Sequence, residues 1–119
     1  MQIEIKSRDF SITDSLRDYA ERRLHFTLSS TSQHINKVVM RLSDINGPRG
    51  GEDKRCRLHI LLNGLPDAII EDTESDMYIA INRAADRAGR SILRKVRRKQ
   101  SLGRQARNHT AFAEISPMM

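Results

Sequence analysis

Six arginines, Arg83, Arg87, Arg90, Arg94, Arg97 and Arg98, recur at helical spacing in the last third of the chain. At 100° per residue on an α-helix they fall within an arc of roughly 100°. Ile81, Ala85, Ala88, Ile92 and Val96 follow the same spacing on the opposite side, so the segment separates an apolar stripe from a cationic one. A solvated helix face ordinarily mixes signs, because like charges three or four residues apart repel by about 0.2–0.5 kcal/mol per pair. Here Asp86 is the only acid beyond the first turn. Such an array implies a compensating anion elsewhere. Arginine in place of lysine suits forked hydrogen bonding to phosphate and stacking on bases.

The charge balance supports the same direction. The chain of 119 residues carries a net charge of +6. Between Arg83 and Arg107 lie ten basic residues and one acid, a balance of +9; the remaining eleven bases and fourteen acids leave −3 elsewhere. A basic segment on an otherwise mildly acidic chain favours a directed contact with a polyanion over a uniformly sticky surface. No strand pattern offers the aromatic pair of an RNA-recognition-motif sheet, so recognition is expected to be of backbone and shape.

Other chemistries find less support. Gly47-Pro48-Arg49-Gly50-Gly51 resembles a loop that cradles phosphate, with Arg49, Lys54 and Arg55 assisting, but no Gly-Lys-Ser/Thr follows and a plain hairpin connection explains it as well. His25, His34, His59 and His109 are scattered, and none stands at metal-ligand spacing with the single cysteine, Cys56, which alternation places in the core. Asp72, Glu74 and Asp76 look like clustered carboxylates, but capping and helix-dipole roles account for them. No catalytic group, metal, cofactor or small-molecule substrate is indicated.

The elements that must carry the arginine face can be read in order. Gln2 to Ser7 alternates as a half-buried strand, with Ile3 and Ile5 on one side. Thr13 caps a helix to about Leu28, with Leu16, Ala20 and Leu24 as its buried stripe. Val38, Met40 and Leu42 mark a second strand; Asp44 to Asp53 is a loop. Cys56, Leu58, Ile60 and Leu62 face inward on a third strand, with Arg55, Arg57 and His59 outward; Asn63-Gly64 turns into a fourth, Ala68 to Thr73. Thr73 or Ser75 caps the last helix, Asp76 stands in its first turn, and the helical period continues to about Lys99. The expected fold is α+β, in the order β-α-β-β-β-α. Its four-stranded sheet is mixed, parallel where the helix crosses over and antiparallel at the hairpins, with both helices on one face. Residues 1–100 form the domain and 101–119 a flexible tail. One cysteine, an opening strand in place of a leader, and no bilayer-length apolar stretch point to a cytoplasmic protein without membrane contact.

The chain resembles the ribosome hibernation promoting factor and ribosome-associated inhibitor family. The resemblance runs from Met1 to about Lys99 and rests on Met1-Gln2-Ile3-Glu4-Ile5, on Ile12-Thr13 with Leu16-Arg17-Asp18-Tyr19, and on His34-Ile35-Asn36-Lys37-Val38. Its most specific part is Glu71-Asp72 with Asp76-Met77-Tyr78, Ala80-Ile81, Asp86-Arg87, Arg90 and Arg94. It implies binding to the small ribosomal subunit and its rRNA, in the channel for messenger and transfer RNA, and it implies translation inhibition without catalysis. Arg23, Arg87, Arg90 and Arg94 match the family's basic positions; Arg83, Arg97 and Arg98 join them by helical geometry alone. The chain departs from the family at Asn63-Gly64-Leu65, where a glycine pair is usual, at Phe26, where a base is common, and in a longer loop around Asn46 to Gly51. The tail from Ser101 is shorter than the dimerisation domain of long members, and a monomer is expected. A general RNA- or DNA-binding regulatory module is the alternative.

Overall fold

The computed structural model describes residues 1–8, 10–45 and 53–115, with side chains up to Leu102. Strand β1 (Gln2–Arg8) leads into helix α1 (Asp14–Leu28), a 3-10 turn (Ser29–His34) and strand β2 (Ile35–Asp44). Strands β3 (Lys54–Leu62) and β4 (Ala68–Glu74) and the long helix α2 (Met77–Ile115) complete the chain. The sheet order is β1-β2-β3-β4, with β1 parallel to β2 and both later pairings antiparallel. The α+β fold and the element order expected from the sequence are both present.

Alternation decides the layers. Ile5, Val38, Met40, Leu42, Cys56, Leu58, Ile60, Ala68 and Ile70 point from the sheet to the helices and are buried. They meet Leu16, Ala20, Leu24 and Leu28 of α1 and Ala80, Ile81, Ala84, Ala85, Ala88, Ile92 and Val96 of α2 in one core. Burying an aliphatic side chain of this size contributes about 1.5–3 kcal/mol, and with no tryptophan in the chain this aliphatic cluster is the main source of stability.

Local signals set the element ends. Thr13 Oγ1 accepts the Leu16 N–H at 3.1 Å and so caps α1 as expected. The cap of α2 is neither Thr73 nor Ser75: Asp76 Oδ1 accepts the Tyr78 N–H at 2.7 Å and the Ile79 N–H at 3.4 Å. Thr73 is still in β4, so the strand runs too far to leave it free for capping. Gly64 turns the β3–β4 hairpin at φ +72°, where a side chain would be strained, and its carbonyl accepts from Lys99 Nζ at 3.3 Å. The α2 backbone stays helical to Ile115, past Lys99, where the apolar period gives out. No proline interrupts the segment before Pro117, and helix formers such as Gln105, Ala106 and Ala111 fill it. Among the described residues no helix is long and apolar enough to cross a membrane.

Candidate nucleic-acid interface

Helix α2 lies with its aliphatic stripe on the sheet, so its opposite side must face solvent. Arg83, Arg87, Arg90, Arg94, Arg97 and Arg98 are all exposed there. All but Arg97 line two shallow grooves along the helix. One, of about 310 Å³, is walled by Arg83, Arg87, Arg90, Asp72 and Asp86. The other, of about 200 Å³, lies among Ser91, Arg94, Lys95 and Arg98, which adds Lys95 to the cationic surface.

The first turns of this array are not free of acid. Arg83 Nη1 lies 3.2 Å from Glu74 Oε1. Arg87 Nη1 lies 3.4 Å from Asp72 Oδ2 and donates to the Glu71 carbonyl at 2.8 Å. Capping therefore explains Asp76 alone; Asp72 and Glu74 belong to β4 and anchor arginines of the adjoining helix. The pairs are lopsided in burial. The arginine side chains are 65% and 52% exposed, their carboxylates only 16% and 13%, so the cations remain outermost. For Arg90, Arg94, Arg97 and Arg98, no carboxylate lies within ion-pair distance among the described residues. Like charges there have only solvent to separate them, which is the unfavourable arrangement that a phosphate backbone relieves.

Arg23 comes from the other helix. Its guanidinium pairs with Asp86 Oδ1 across the α1–α2 seam and lies 5.4 Å from the centroid of the Phe26 ring. Phe26 is 73% exposed, an apolar ring standing on a cationic rim. An isolated phenylalanine gives no sequence signal of this kind; only its place beside Arg23, in a cation–π contact, sets it on the rim of the cationic surface. The two helices come close at Gly89, where an added Cβ would stand 2.8 Å from the Thr27 carbonyl oxygen. Tyr78 packs edge-on against Tyr19, with centroids 4.9 Å apart, and Met77 lies partly buried against the core.

The two described loop candidates, Lys54 and Arg55, do not converge. Arg49 lies outside the described residues. Lys54 points to the helix side of the sheet and bonds Asp44 at 2.8 Å, with Asp53 at 3.3 Å; the Asp44 bond, chiefly, raises its pKa. Arg55, one residue on, points to the opposite face, 3.3 Å from Glu71. Cys56 is fully buried, and desolvation, with a smaller contribution from Asp72, pushes its thiol up to about 12. Among the described residues no group of three or more His, Cys, Asp or Glu is placed to hold a metal ion.

With this geometry in hand, the relatives are informative. The profile of the family described as sigma 54 modulation protein / S30EA ribosomal protein matches residues 3–101. The ribosome hibernation promotion factor of Deinococcus radiodurans is 31% identical over 109 residues, 88% of this chain and 54% of that protein. The ribosome hibernation promotion factor of Picosynechococcus sp. is 25% identical over 117 residues, 98% of this chain and 59% of that protein. The chain thus spans little more than half the length of these relatives. Among solved structures, the N-terminal domain of Thermus thermophilus Protein Y superposes with a TM-score of 0.65 at 28% identity, covering 79% of this chain and 98% of that one. A ribosomal subunit interface protein from Coxiella burnetii shares the fold, with a TM-score of 0.69 at 18% identity, covering 80% of this chain and 97% of that one.

Proposed function

Because the chain belongs to the sigma 54 modulation protein / S30EA ribosomal protein family, which includes the ribosome hibernation promotion factors, we propose that it is a ribosome-associated translation inhibitor. It acts by binding, not catalysis, in the cytoplasm where ribosomes work. The observation that carries the reading is the exposed arginine face of α2, whose Arg90, Arg94, Arg97 and Arg98 lack carboxylate partners among the described residues. This face contacts phosphates of small-subunit rRNA, with Arg23 at its edge, while the packed sheet and helices behind it fill the channel for messenger and transfer RNA. Arg83 and Arg87 exchange their exposed ion pairs for phosphate at small cost, since such pairs contribute only about 0–1 kcal/mol.

Exchange of Arg87, Arg90 and Arg94 for glutamate should abolish co-sedimentation with purified small subunits while the thermal unfolding transition stays in place. For the native chain, engagement of about five phosphates predicts that log K falls with log salt at a slope of roughly −4. Unimpaired co-sedimentation of the triple variant would refute the assignment. Competition with duplex DNA in the same assay separates ribosome binding from a general nucleic-acid-binding module: equal competition by DNA favours the latter.

A further inference from the structure

The sequence arithmetic places the positive charge on α2 and leaves the rest of the chain negative, but the fold redistributes that remainder. Strand alternation turns Lys6, Arg8, Lys37, Arg41, Arg55 and Arg57 to the sheet face that no helix covers, and among the described strand residues the acids on that face are Glu4 and Glu71. Six cations against two acids give that face a balance of +4. The acids that outweigh the bases elsewhere, such as Asp44, Asp72 and Glu74, lie on the helix side.

The register sharpens the point. Lys6 stands opposite Arg41 in the parallel pairing, and Arg41 stands opposite Arg57 in the antiparallel one. With strands about 4.8 Å apart, three cations stand abreast over roughly 10 Å. Like charges directly opposite destabilise a sheet. Glu71, the partner of Arg57 in β4, leans 3.3 Å from Arg55 instead. Glu4 is held between Lys37 at 2.8 Å and Lys6 at 3.3 Å. Arg41 and Arg57 are exposed, and no carboxylate reaches either among the described residues. Both line a groove of about 320 Å³ together with Lys6, Ser43 and Arg55, and both border a smaller groove of about 90 Å³ with Val39 and His59.

We propose that this helix-free sheet face is a second RNA-backbone contact, centred on Arg41 and Arg57 with Lys6 beside them, so that the domain is held between two phosphate surfaces. The occupant is a phosphate backbone on grounds of charge complementarity: the row is repeated, cationic and open, and among the described residues no Phe, Tyr or Trp stands on it to select a base, His59 at its edge being held by Asp67. Naming RNA as the polyanion rests on the proposed function; the existence of a second face does not.

Two assays test it, each with the full chain, the Arg41→Glu/Arg57→Glu variant and the α2 triple variant. In the first, a bead-tethered RNA duplex is loaded with protein and challenged with a second, labelled RNA duplex. The native chain should capture the second duplex, and both variants should lose that bridging. In the second, affinity for purified small subunits is measured across a salt series. The sheet variant should bind roughly tenfold more weakly, with a salt slope shallower by about 1.5, the loss of two phosphate contacts. Failure of the native chain to bridge, or bridging retained by the sheet variant, overturns the proposal whether or not ribosomes bind. Loss of subunit affinity in the sheet variant without bridging by the native chain would assign the face to an acidic ribosomal protein, and the RNA assignment would fall. If the native chain bridges RNA but ignores small subunits, the second face stands and the ribosomal function fails.

Discussion

Asp72 and Glu74 sit where an acid weakens a phosphate site most, beneath Arg87 and Arg83 and shielded from solvent by them. They hold two guanidinium groups near the β4 edge, and they compete with any incoming anion. Replacing them as Asp72→Asn with Glu74→Gln removes that competition; pairs with an exposed partner contribute about 0.2–1 kcal/mol each, so small-subunit affinity should rise by roughly two- to thirtyfold in a filter-binding titration. Weaker binding would mean that the acids orient the arginines more than they neutralise them. Cys56 offers a second test at this scale. Its thiol resists ionisation only while folded, so the unfolded chain loses the proton first. Stability is complete below the ordinary thiol pKa of 9.0 and declines as pH rises from there toward about 12. The same burial should leave Cys56 unlabelled by iodoacetamide at neutral pH until denaturant unfolds the chain; prompt labelling of the native protein would contradict its place in the core.

Among the elements, the contact of α1 with α2 is the one a single atom can disturb. Gly89→Ala ordinarily favours a helix by about 0.8–1 kcal/mol. Here its methyl group would stand 2.8 Å from the backbone oxygen of Thr27, which cannot swing aside. Overpacking of this kind costs about 1–3 kcal/mol. Urea unfolding should therefore find Gly89→Ala destabilised, whereas a gain would show that the helices readily separate. Neither this contact nor the acid–arginine pairs could be read from the sequence, since each depends on which residue of one element lies against which residue of another. What periodicity reports is which way a side chain points: the inward Cys56, Leu58, Ile60 and Leu62, the Thr13 cap and the outward arginines of α2 are all legible for that reason. The cap of α2 is not legible, because Thr73, Ser75 and Asp76 are all competent capping residues; the extent of β4 removes Thr73, and the start of the helix at Met77 selects Asp76 over Ser75.

Seen whole, the molecule presents cations on two opposite sides, α2 and the bare sheet, with an uncharged aliphatic core between them. The charge total of +6 conceals this, because inward and outward residues alternate along each strand and are summed together. A domain charged on both sides suits a cleft with anionic walls better than a flat surface, and its salt dependence should exceed that of either single-face variant. The close approach of Gly89 to Thr27 then acquires a practical meaning. It is a mechanical stop built from neutral atoms, so of the two links across that seam only the Arg23–Asp86 ion pair is open to screening by dissolved ions. Raising ionic strength should strip the protein from its partner while the Gly89–Thr27 contact and the aliphatic core hold the spacing of the two helices, so a salt titration reads chiefly the return of ions to the phosphates.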